Sequence, residues 1–384
     1  MESSSNSGDG GVAQVLVEEK GSARILTLNR PQQLNALSSQ MITELLKCFS
    51  TYEKDPRVNL LIVKGKGRAF CAGGDVAAVV HSINEGHWTH GAHFFWDEFR
   101  LNFLIATYRK PQVSLLNGIV MGGGAGVSIH GRFRVATEKT VFAMPETALG
   151  LFPDIGASYF LSRLPGFFGE YVGLTGSRLN GAEMLACGLA THFVPSSKLV
   201  TLEESLTKVD SSDNFAICAV IDMYSVQVPL KENSAYNRLD IIDKCFSKKS
   251  VEEILSALEK QSKNSSEKWI LDAIESLKKA SPTSLKISLR SIREGRLQSV
   301  GQCLIRDYRI LCHIIRKEAS KDFFEGCRAL LVDKDKNPKW EPSRLDLVDD
   351  ERIDVYFSEV NDEAWEDLKL PERSAAGAGL GSKL

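Results

Sequence analysis

The chain has 384 residues, 43% of them apolar and 25% charged, and a net charge of −2 with acidic and basic residues interspersed. This length predicts two domains or one large domain, with ample surface to bury. The proportions of apolar and charged residues are typical of a globular protein. The near-neutral charge argues against nucleic acid or an anionic membrane as principal partner, and no apolar run reaches the roughly 20 residues that span a bilayer.

The first half of the chain predicts an α/β core. Residues 1–11 are polar and predict a disordered N-terminus that is neither a signal peptide nor a mitochondrial presequence. Strands are predicted at residues 12–17 and 24–28, and a helix is predicted from about Ser38, where apolar residues recur on one face. Strand, glycine loop and helix then repeat to about residue 194, and such alternation is typical of an α/β fold.

Two glycine motifs punctuate this half, at residues 68–75 (RAFCAGGD) and 117–126 (NGIVMGGGAG). Each follows a strand-like apolar run and opens a stretch of helical character. Such a junction leaves backbone N–H groups pointing outward, and glycine lets a ligand approach them closely. Two junctions facing one another would supply two donors for one developing negative oxygen, an oxyanion hole. Neither motif matches a dinucleotide fingerprint or a P-loop.

Composition changes after about residue 196, where glycine becomes rare and capped amphipathic helices appear. One helix is predicted from near Pro282 to Gly295 and another from about residue 297 to 317. We therefore expect a catalytic core at residues 12–199, a mainly helical region at 200–365 and a flexible tail at 366–384.

Several reactive side chains are interpreted as structural. The eight cysteines include no Cys-x-x-Cys pair, which favours reduced thiols, and Cys71 is expected to be a packing residue. His87, His90 and His93 drift around a helix and lack acidic or sulfur partners, so no metal site is predicted. Ser128 is not expected to be a nucleophile, because His130 takes the place of the final glycine of a nucleophile elbow.

Order and spacing across these motifs carry a family resemblance. Residues 28–37 (LNRPQQLNAL), both glycine motifs and Pro145-Glu146-Thr147 resemble the crotonase (enoyl-CoA hydratase/isomerase) superfamily. The resemblance implies an α/β spiral of ββα units with a mainly helical C-terminal region. It also implies that the N–H groups of Gly74 and Gly123 hold the carbonyl of a CoA thioester. No metal or other cofactor is implied, since coenzyme A is part of the substrate.

The positions of the acidic residues distinguish the different reactions that members of this superfamily catalyse. Hydratases hold one water with two glutamates; Glu146 matches the second, but Gly126 stands where the first would be. Asp154 appears instead where hydratases carry glycine. With Glu98, this set resembles the 3-hydroxyisobutyryl-CoA hydrolase branch, whose implied reaction is hydrolysis of a short 3-hydroxyacyl-CoA thioester in valine breakdown.

The resemblance assigns expected roles to these residues. Glu146 is the principal base or nucleophile, and Asp154 is its partner in catalysis and substrate binding. Glu98 is the expected partner of the 3-hydroxyl of the substrate, and Gly123 contacts the acyl group.

A coenzyme A site is implied around the first glycine motif. The adenine is expected against backbone groups of Ala69, Phe70 and Ala72, with Arg30 or Arg68 near a phosphate. The expected partner is thus an acyl-CoA, with no nucleic acid and no membrane. The sequence leaves homo-oligomerisation open.

The tail predicts a location. It is rich in small residues and finishes with Ser382, Lys383 and Leu384, which match the receptor-read peroxisomal address. We therefore expect a peroxisomal protein of the plant type, with the import receptor as a second partner.

Two rival functions differ from hydrolysis. An enoyl-CoA hydratase/isomerase-type enzyme could run on Glu146 alone, and release of free thiol from 3-hydroxyisobutyryl-CoA would distinguish it. The second rival is a non-catalytic binding protein on the same scaffold, for example one for RNA, which salt-dependent RNA binding would reveal.

Overall fold

The computed structural model describes residues 12–263, 267–317, 319–363 and 365–373. Ten strands occur within these ranges. In chain order they are β1 (Val15–Lys20), β2 (Ala23–Leu28), β3 (Leu60–Gly65), β4 (Ala69–Cys71), β5 (Gln112–Leu116), β6 (Ile119–Met121), β7 (Phe133–Ala136), β8 (Val141–Ala143), β9 (Leu179–Asn180) and β10 (His192–Phe193).

Sixteen α-helices accompany these strands in the same described ranges. They are α1 (Ser39–Lys54), α2 (Val76–Glu85), α3 (Trp88–Ala106), α4 (Gly123–Gly126), α5 (Ala157–Leu161), α6 (Phe168–Thr175), α7 (Gly181–Cys187), α8 (Leu199–Leu206), α9 (Asn214–Asp222), α10 (Leu239–Phe246), α11 (Val251–Ser262), α12 (Lys268–Lys279), α13 (Pro282–Gly295), α14 (Val300–Ile315), α15 (Asp322–Cys327) and α16 (Asp350–Phe357).

The strands build two sheets. The larger has the order β1-β2-β3-β5-β7-β10, with β1 antiparallel to β2 and the other pairs parallel. The smaller has the order β4-β6-β8-β9, with only β9 antiparallel. Three successive strand pairs, β3–β4, β5–β6 and β7–β8, each contribute one strand to either sheet. This repeat confirms the predicted spiral of ββα units.

Local signals fix several element boundaries as predicted. Helix α1 begins after Ser38, whose side chain accepts a hydrogen bond from the Met41 N–H at 3.1 Å. Helix α13 spans the predicted bounds, and α14 lies within the predicted range. Strand β1 begins three residues later than predicted, because its pairing with β2 runs up to a tight turn at Gly21, where φ is 58°.

Apolar side chains cover both faces of the larger sheet. Since successive side chains of a strand point to opposite faces, Leu26 joins the main core while Ile25 faces a second cluster. Helices α8 and α9 close that second cluster with Leu202, Leu206 and Ile217. The helices after residue 199 therefore pack directly on the larger sheet, which is built from the first half of the chain. A boundary between two regions at residue 199 stays a prediction from composition.

Helix α3 runs through the main core and packs against α1, α2 and α14. Tyr308 of α14 meets the rings of Trp96 and Phe99 edge-on, with centroids 5.5 and 6.4 Å away. The C-terminal helices thereby fix the position of the helix that carries Glu98. Within the described ranges, no helix is long and apolar enough to cross a membrane.

Both chain ends lie outside the described residues. The predicted disordered segment at residues 1–11 falls there, and so does the predicted import signal at Ser382, Lys383 and Leu384.

Candidate active site

Two glycines present backbone N–H groups at the ends of neighbouring strands of the smaller sheet. Gly74 follows β4 and forms a bridge with Leu37, whose N–H donates to Gly73 O at 2.8 Å and whose carbonyl accepts from Asp75 N at 2.9 Å. Because those flanking residues make the bridge hydrogen bonds, the N–H of Gly74 itself points to the other side. Gly123 is the first residue of α4, so its N–H has no partner inside that helix.

The two junctions face one another. A Cβ atom on Gly123 would lie 3.1 Å from the Gly74 nitrogen and would collide with Glu98 Oε1. Gly73 and Gly122 adopt φ values of 119° and 47°, which side chains rarely tolerate. The missing side chains thus leave open space in front of both N–H groups.

Apolar side chains border this space. Leu37 Cδ1 lies 3.2 Å from the Cβ position of Gly123, and Phe94 Cζ lies 3.3 Å from that of Gly74. Phe94 belongs to α3, one turn before Glu98. Water is therefore partly excluded, which strengthens any electrostatic interaction inside.

Two glutamates enter the same space from different elements. Glu98 projects from α3 and is 2% exposed, while Glu146 opens a 3₁₀ turn after β8 and is 5% exposed. Glu146 Oε1 lies 3.0 Å from the Cβ position of Gly122. Glu98 Oε1 and Glu146 Oε2 have no hydrogen-bond partner among the described residues. Such unpartnered buried oxygens are available to a ligand.

Burial favours the protonated form of these carboxyl groups. It raises the pKa of Glu98 to about 8. It also raises the pKa of Glu146 to about 8, with a smaller contribution from the charge of Glu98. The pKa of Asp154, 5% exposed, lies well above its ordinary value because of burial first and then repulsion from Glu98, Glu146 and Asp307. The four acids therefore form one electrostatic unit.

The C-terminal region holds the turn that carries Glu146. Gly150 ends the turn with a φ of 70°, and a Cβ atom there would collide with the backbone of Asp322. Asp322 also accepts a hydrogen bond from Ser281 Oγ at 2.6 Å, and Ser281 N donates to Thr147 O at 3.1 Å. Backbone groups of Ser281 and Asp322, far downstream in the sequence, thus hold the turn from which Glu146 projects.

An unusual loop carries Asp154. The next two residues, Ile155 and Gly156, have φ values of 59° and 71°, and for a β-branched residue such backbone is strained. Gly156 N donates to Asp307 Oδ2 at 2.9 Å. The Ile155 carbonyl accepts from His130 Nε2 at 2.8 Å. Burial lowers the pKa of His130 to about 4, so its ring is neutral and its Nε2 carries the proton that is donated.

Asp307 is a residue that sequence reasoning missed. It is fully buried on α14, and burial raises its pKa to about 7. The sequence feature that could have revealed it is an acid within an apolar stripe of this helix. That stripe is formed by Cys303, Leu304, Tyr308 and Leu311. An acid at such a position needs a partner, and the Gly156 N–H supplies one.

Gly126 lies at the far end of α4, in contact with α3. A Cβ atom on Gly126 would lie 2.7 Å from Asn102 Nδ2 and 3.2 Å from Ile155 Cβ. No room therefore exists there for a glutamate without movement of the neighbouring side chains.

The five predicted coenzyme A contacts lie around β4. Arg30 pairs with Asp75 at 3.0 Å and donates to Ala36 O at 2.6 Å, whereas Arg68 is exposed. Ala69 O accepts from Asn35 Nδ2 at 2.8 Å, and Ala72 N donates to Leu34 O at 3.0 Å. Phe70 is buried in the main core. Their roles toward coenzyme A remain predictions.

The side chains interpreted as structural have structural surroundings. Burial raises the pKa of Cys71 to about 12, and Ser128 Oγ donates to Gly124 O at 2.7 Å. His87, His90 and His93 are exposed, and His87 caps α3.

One group of metal-ligand type occurs among the described residues, formed by His192 of β10 with Cys218 and Asp222 of α9. His192 Nε2 lies 3.3 Å from Asp222 and 3.6 Å from Cys218 Sγ. None of these three is among the acids around the glycine pair.

Comparisons with known proteins agree on one family. A family model described as enoyl-CoA hydratase/isomerase matches residues 23–357. The chain is 66% identical over 362 residues, 94% of this chain and 95% of the relative, to 3-hydroxyisobutyryl-CoA hydrolase 1 of Arabidopsis thaliana. A crystal structure of a carnitinyl-CoA dehydratase from Mycobacterium thermoresistibile has a TM-score of 0.85 at 34% identity, covering 94% of this chain and 99% of that one. An enoyl-CoA hydratase from Rhodobacter sphaeroides 2.4.1 has a TM-score of 0.82 at 30% identity, covering 91% and 98%.

Proposed function

Because the chain belongs to the enoyl-CoA hydratase/isomerase family, we propose that it hydrolyses 3-hydroxyisobutyryl-CoA to 3-hydroxyisobutyrate and coenzyme A. One observation carries this choice over hydration. Glu146 lies beside the glycine pair and interacts electrostatically with the buried Asp154, while the space at Gly126 is filled by Asn102 and Ile155. A glutamate at position 126, where hydratases hold the first of their two water-binding acids, therefore has no place in this site.

The glycine pair stabilises the charge that develops on the thioester oxygen. Attack on a thioester carbonyl turns its oxygen into an oxyanion, and the N–H groups of Gly74 and Gly123 converge on the space in front of them. Losing one such donor costs about 2.7–4 kcal/mol of transition-state stabilisation in other enzymes. The bridge at Leu37 holds the Gly74 donor and the first turn of α4 holds the Gly123 donor, so these backbone groups need no rearrangement during the reaction.

The environments of the two acids suggest different roles. Burial first, and then repulsion from Glu98, Glu146 and Asp307, holds the pKa of Asp154 well above its ordinary value, so its carboxyl can carry a proton. Burial raises the pKa of Glu146 to about 8, so part of this carboxyl is ionised near neutral pH, and that ionised part can act as a base or nucleophile. Glu146 therefore acts as base or nucleophile, and Asp154 acts as the proton donor.

With these roles, every bond and proton in the hydrolysis of the thioester is accounted for. In the base-catalysed form, Glu146 takes a proton from water as the new C–O bond forms at the thioester carbon. The C–S bond then breaks, and the departing sulfur takes a proton from Asp154. In the covalent form, a Glu146 oxygen attacks the carbon, the C–S bond breaks and the departing sulfur takes a proton from Asp154. Water then cleaves the resulting anhydride, which yields the free acid and restores the Glu146 carboxylate.

Glu98 is assigned to the substrate rather than to the bond-breaking step. Its Oε1 is unpartnered and adjoins Gly123, so it reaches the start of the acyl chain. With its pKa raised to about 8, the carboxyl is mostly protonated near neutral pH and can both donate to and accept from a hydroxyl group.

Coenzyme A enters as part of the substrate. Arg30 already pairs with Asp75, so the exposed Arg68 is the better phosphate partner of the two. The backbone from Ala69 to Ala72 lies between Arg68 and Gly74, which is consistent with an adenine contact near the thioester site.

A thiol-release assay across acyl-CoA esters tests this function. We expect 3-hydroxyisobutyryl-CoA to release free thiol far faster than acetyl-CoA or crotonyl-CoA, and Glu146→Gln to serve as the inactive control. Efficient hydration of crotonyl-CoA without thiol release would make the protein a hydratase and refute the proposal.

A peroxisomal site of action and a role in valine breakdown belong to the same proposal. The first is supported by Ser382, Lys383 and Leu384 alone, and the second by the identity of the substrate. A fluorescent fusion of the whole chain should enter peroxisomes and one that lacks those three residues should not. Exclusion of the whole-chain fusion would contradict the location, whereas unchanged import of the shortened one would mean that another signal dominates.

A further inference from the structure

We infer that the carboxamide of Asn102 binds the 3-hydroxyl of the substrate and sets the preference for 3-hydroxyacyl esters. This inference rests on the proposed thioesterase function and adds a specificity residue to it.

Asn102 is buried without the partners that a buried amide requires. It is 0% exposed, and both Oδ1 and Nδ2 lack a hydrogen-bond partner among the described residues. A buried polar side chain is normally satisfied, since an unpaired donor or acceptor lowers stability. An amide with both ends unpaired beside a cluster of acids therefore points to a ligand that supplies both contacts.

The position of Asn102 follows from helix geometry. It lies on α3 four residues after Glu98, so the two side chains share one face of the helix. Glu98 Oε1 adjoins Gly123 at the start of α4, whereas Asn102 Nδ2 lies 2.7 Å from the Cβ position of Gly126 at its end. The two polar groups therefore lie at opposite ends of α4, with Glu98 at the oxyanion hole.

The distance between the two ends of α4 matches the length of the acyl chain of the substrate. The last residue of α4 lies three residues after the first, and a helical rise of three residues corresponds to about 4.5 Å. Three bonds separate the 3-hydroxyl oxygen from the thioester carbon, a distance of roughly 4 Å in an extended chain. With the carbonyl at Gly74 and Gly123, the 3-hydroxyl thus reaches the end of α4, between Glu98 and Asn102.

The chemistry of the two groups is complementary. A hydroxyl group donates one hydrogen bond and accepts others, while the carboxamide offers an acceptor at Oδ1 and donors at Nδ2. An ester without the hydroxyl leaves the amide unpaired, and sites of this kind reject such analogues strongly. Gly126 is required for the arrangement, because any side chain there would displace the amide.

The ratio of two substrates tests the inference. In Asn102→Leu, which has similar size and no polar atoms, kcat/KM for 3-hydroxyisobutyryl-CoA should fall about 10-fold or more, the loss of at least one good hydrogen bond. For isobutyryl-CoA, which lacks the hydroxyl, it should change less than about 2-fold. Gln112→Leu is the matched control, because Gln112 is also a buried amide but contacts Ser114 and Val127; its substrate ratio should stay that of the wild type.

Two results would overturn the inference while leaving the proposed function intact. An equal loss of kcat/KM for both esters in Asn102→Leu would indicate a structural role, and wild-type kcat/KM values for both esters would indicate no contact with the hydroxyl. If Asn102→Leu does not fold, Asn102→Ala removes the amide without added bulk and is judged by the same ratio. Failure of the wild type to release thiol from either ester would instead refute the proposed function.

Discussion

Replacing Glu146 with glutamine should stabilise the protein and greatly reduce its turnover. The side chain is 5% exposed, and burial raises its pKa to about 8. Since this carboxyl has a higher pKa when folded than when unfolded, its favourable contribution is complete below about pH 4 and is lost as pH rises through 8. Glutamine keeps the shape and cannot ionise, so the variant escapes this loss.

The expected gain depends on pH. Each pKa unit corresponds to about 1.36 kcal/mol, so the variant should gain under about 1 kcal/mol at pH 5, about 3 kcal/mol at pH 7 and about 4 kcal/mol at pH 8. Turnover should fall by about 10²–10⁴-fold, the usual contribution of a positioned acid or base. Opposite signs for stability and activity are the expected result at a site built from buried charge.

Urea unfolding at pH 5, 7 and 8 measures the gain, and thiol release measures turnover. The exposed Glu204→Gln serves as the control for the chemical change itself. Equal stability of Glu146→Gln and wild type at all three pH values would mean that the carboxyl is not held neutral. The division of roles between Glu146 and Asp154 would then lose its basis.

Three further predictions concern the same site. Asp154→Asn should lose hydrolysis severely, and its loss should not add to that of Glu146→Gln, since the two acids act as a unit; near-full hydrolysis would leave Glu146 as the single working acid. Gly123→Ala, which brings Cβ to 3.1 Å from Gly74 N, should reduce kcat about 10²–10³-fold, whereas Gly301→Ala on α14 should leave kcat unchanged; equal kcat values would argue against the oxyanion hole. The kcat/KM of the wild type should rise from pH 6 to 8 as Glu146 ionises, and a flat profile would contradict a base with a pKa of about 8.

The features that could be predicted from the sequence are those written in local pattern. Strand, glycine turn and helix alternate at a readable spacing, and a cap such as Ser38 marks a helix start through its own side chain. The glycine motifs could be interpreted as facing donors, because a strand-to-helix junction has only a few backbone geometries. Glu98, Glu146 and Asp154 could be named only through family resemblance, since an isolated acid carries no signal of its burial.

Tertiary structure decided how those acids behave and what supports them. Asp307 reaches the loop of Asp154 across 151 residues of sequence, and Asp322 supports the turn of Glu146 through contacts at Gly150. Asn102 has no distinguishing neighbours in the sequence, and its amide becomes notable only where α3 passes the end of α4. The raised pKa values likewise depend on how completely side chains from distant segments exclude water. Burial and long-range contact arise from the packing of the whole chain, and for that reason local sequence could not determine them.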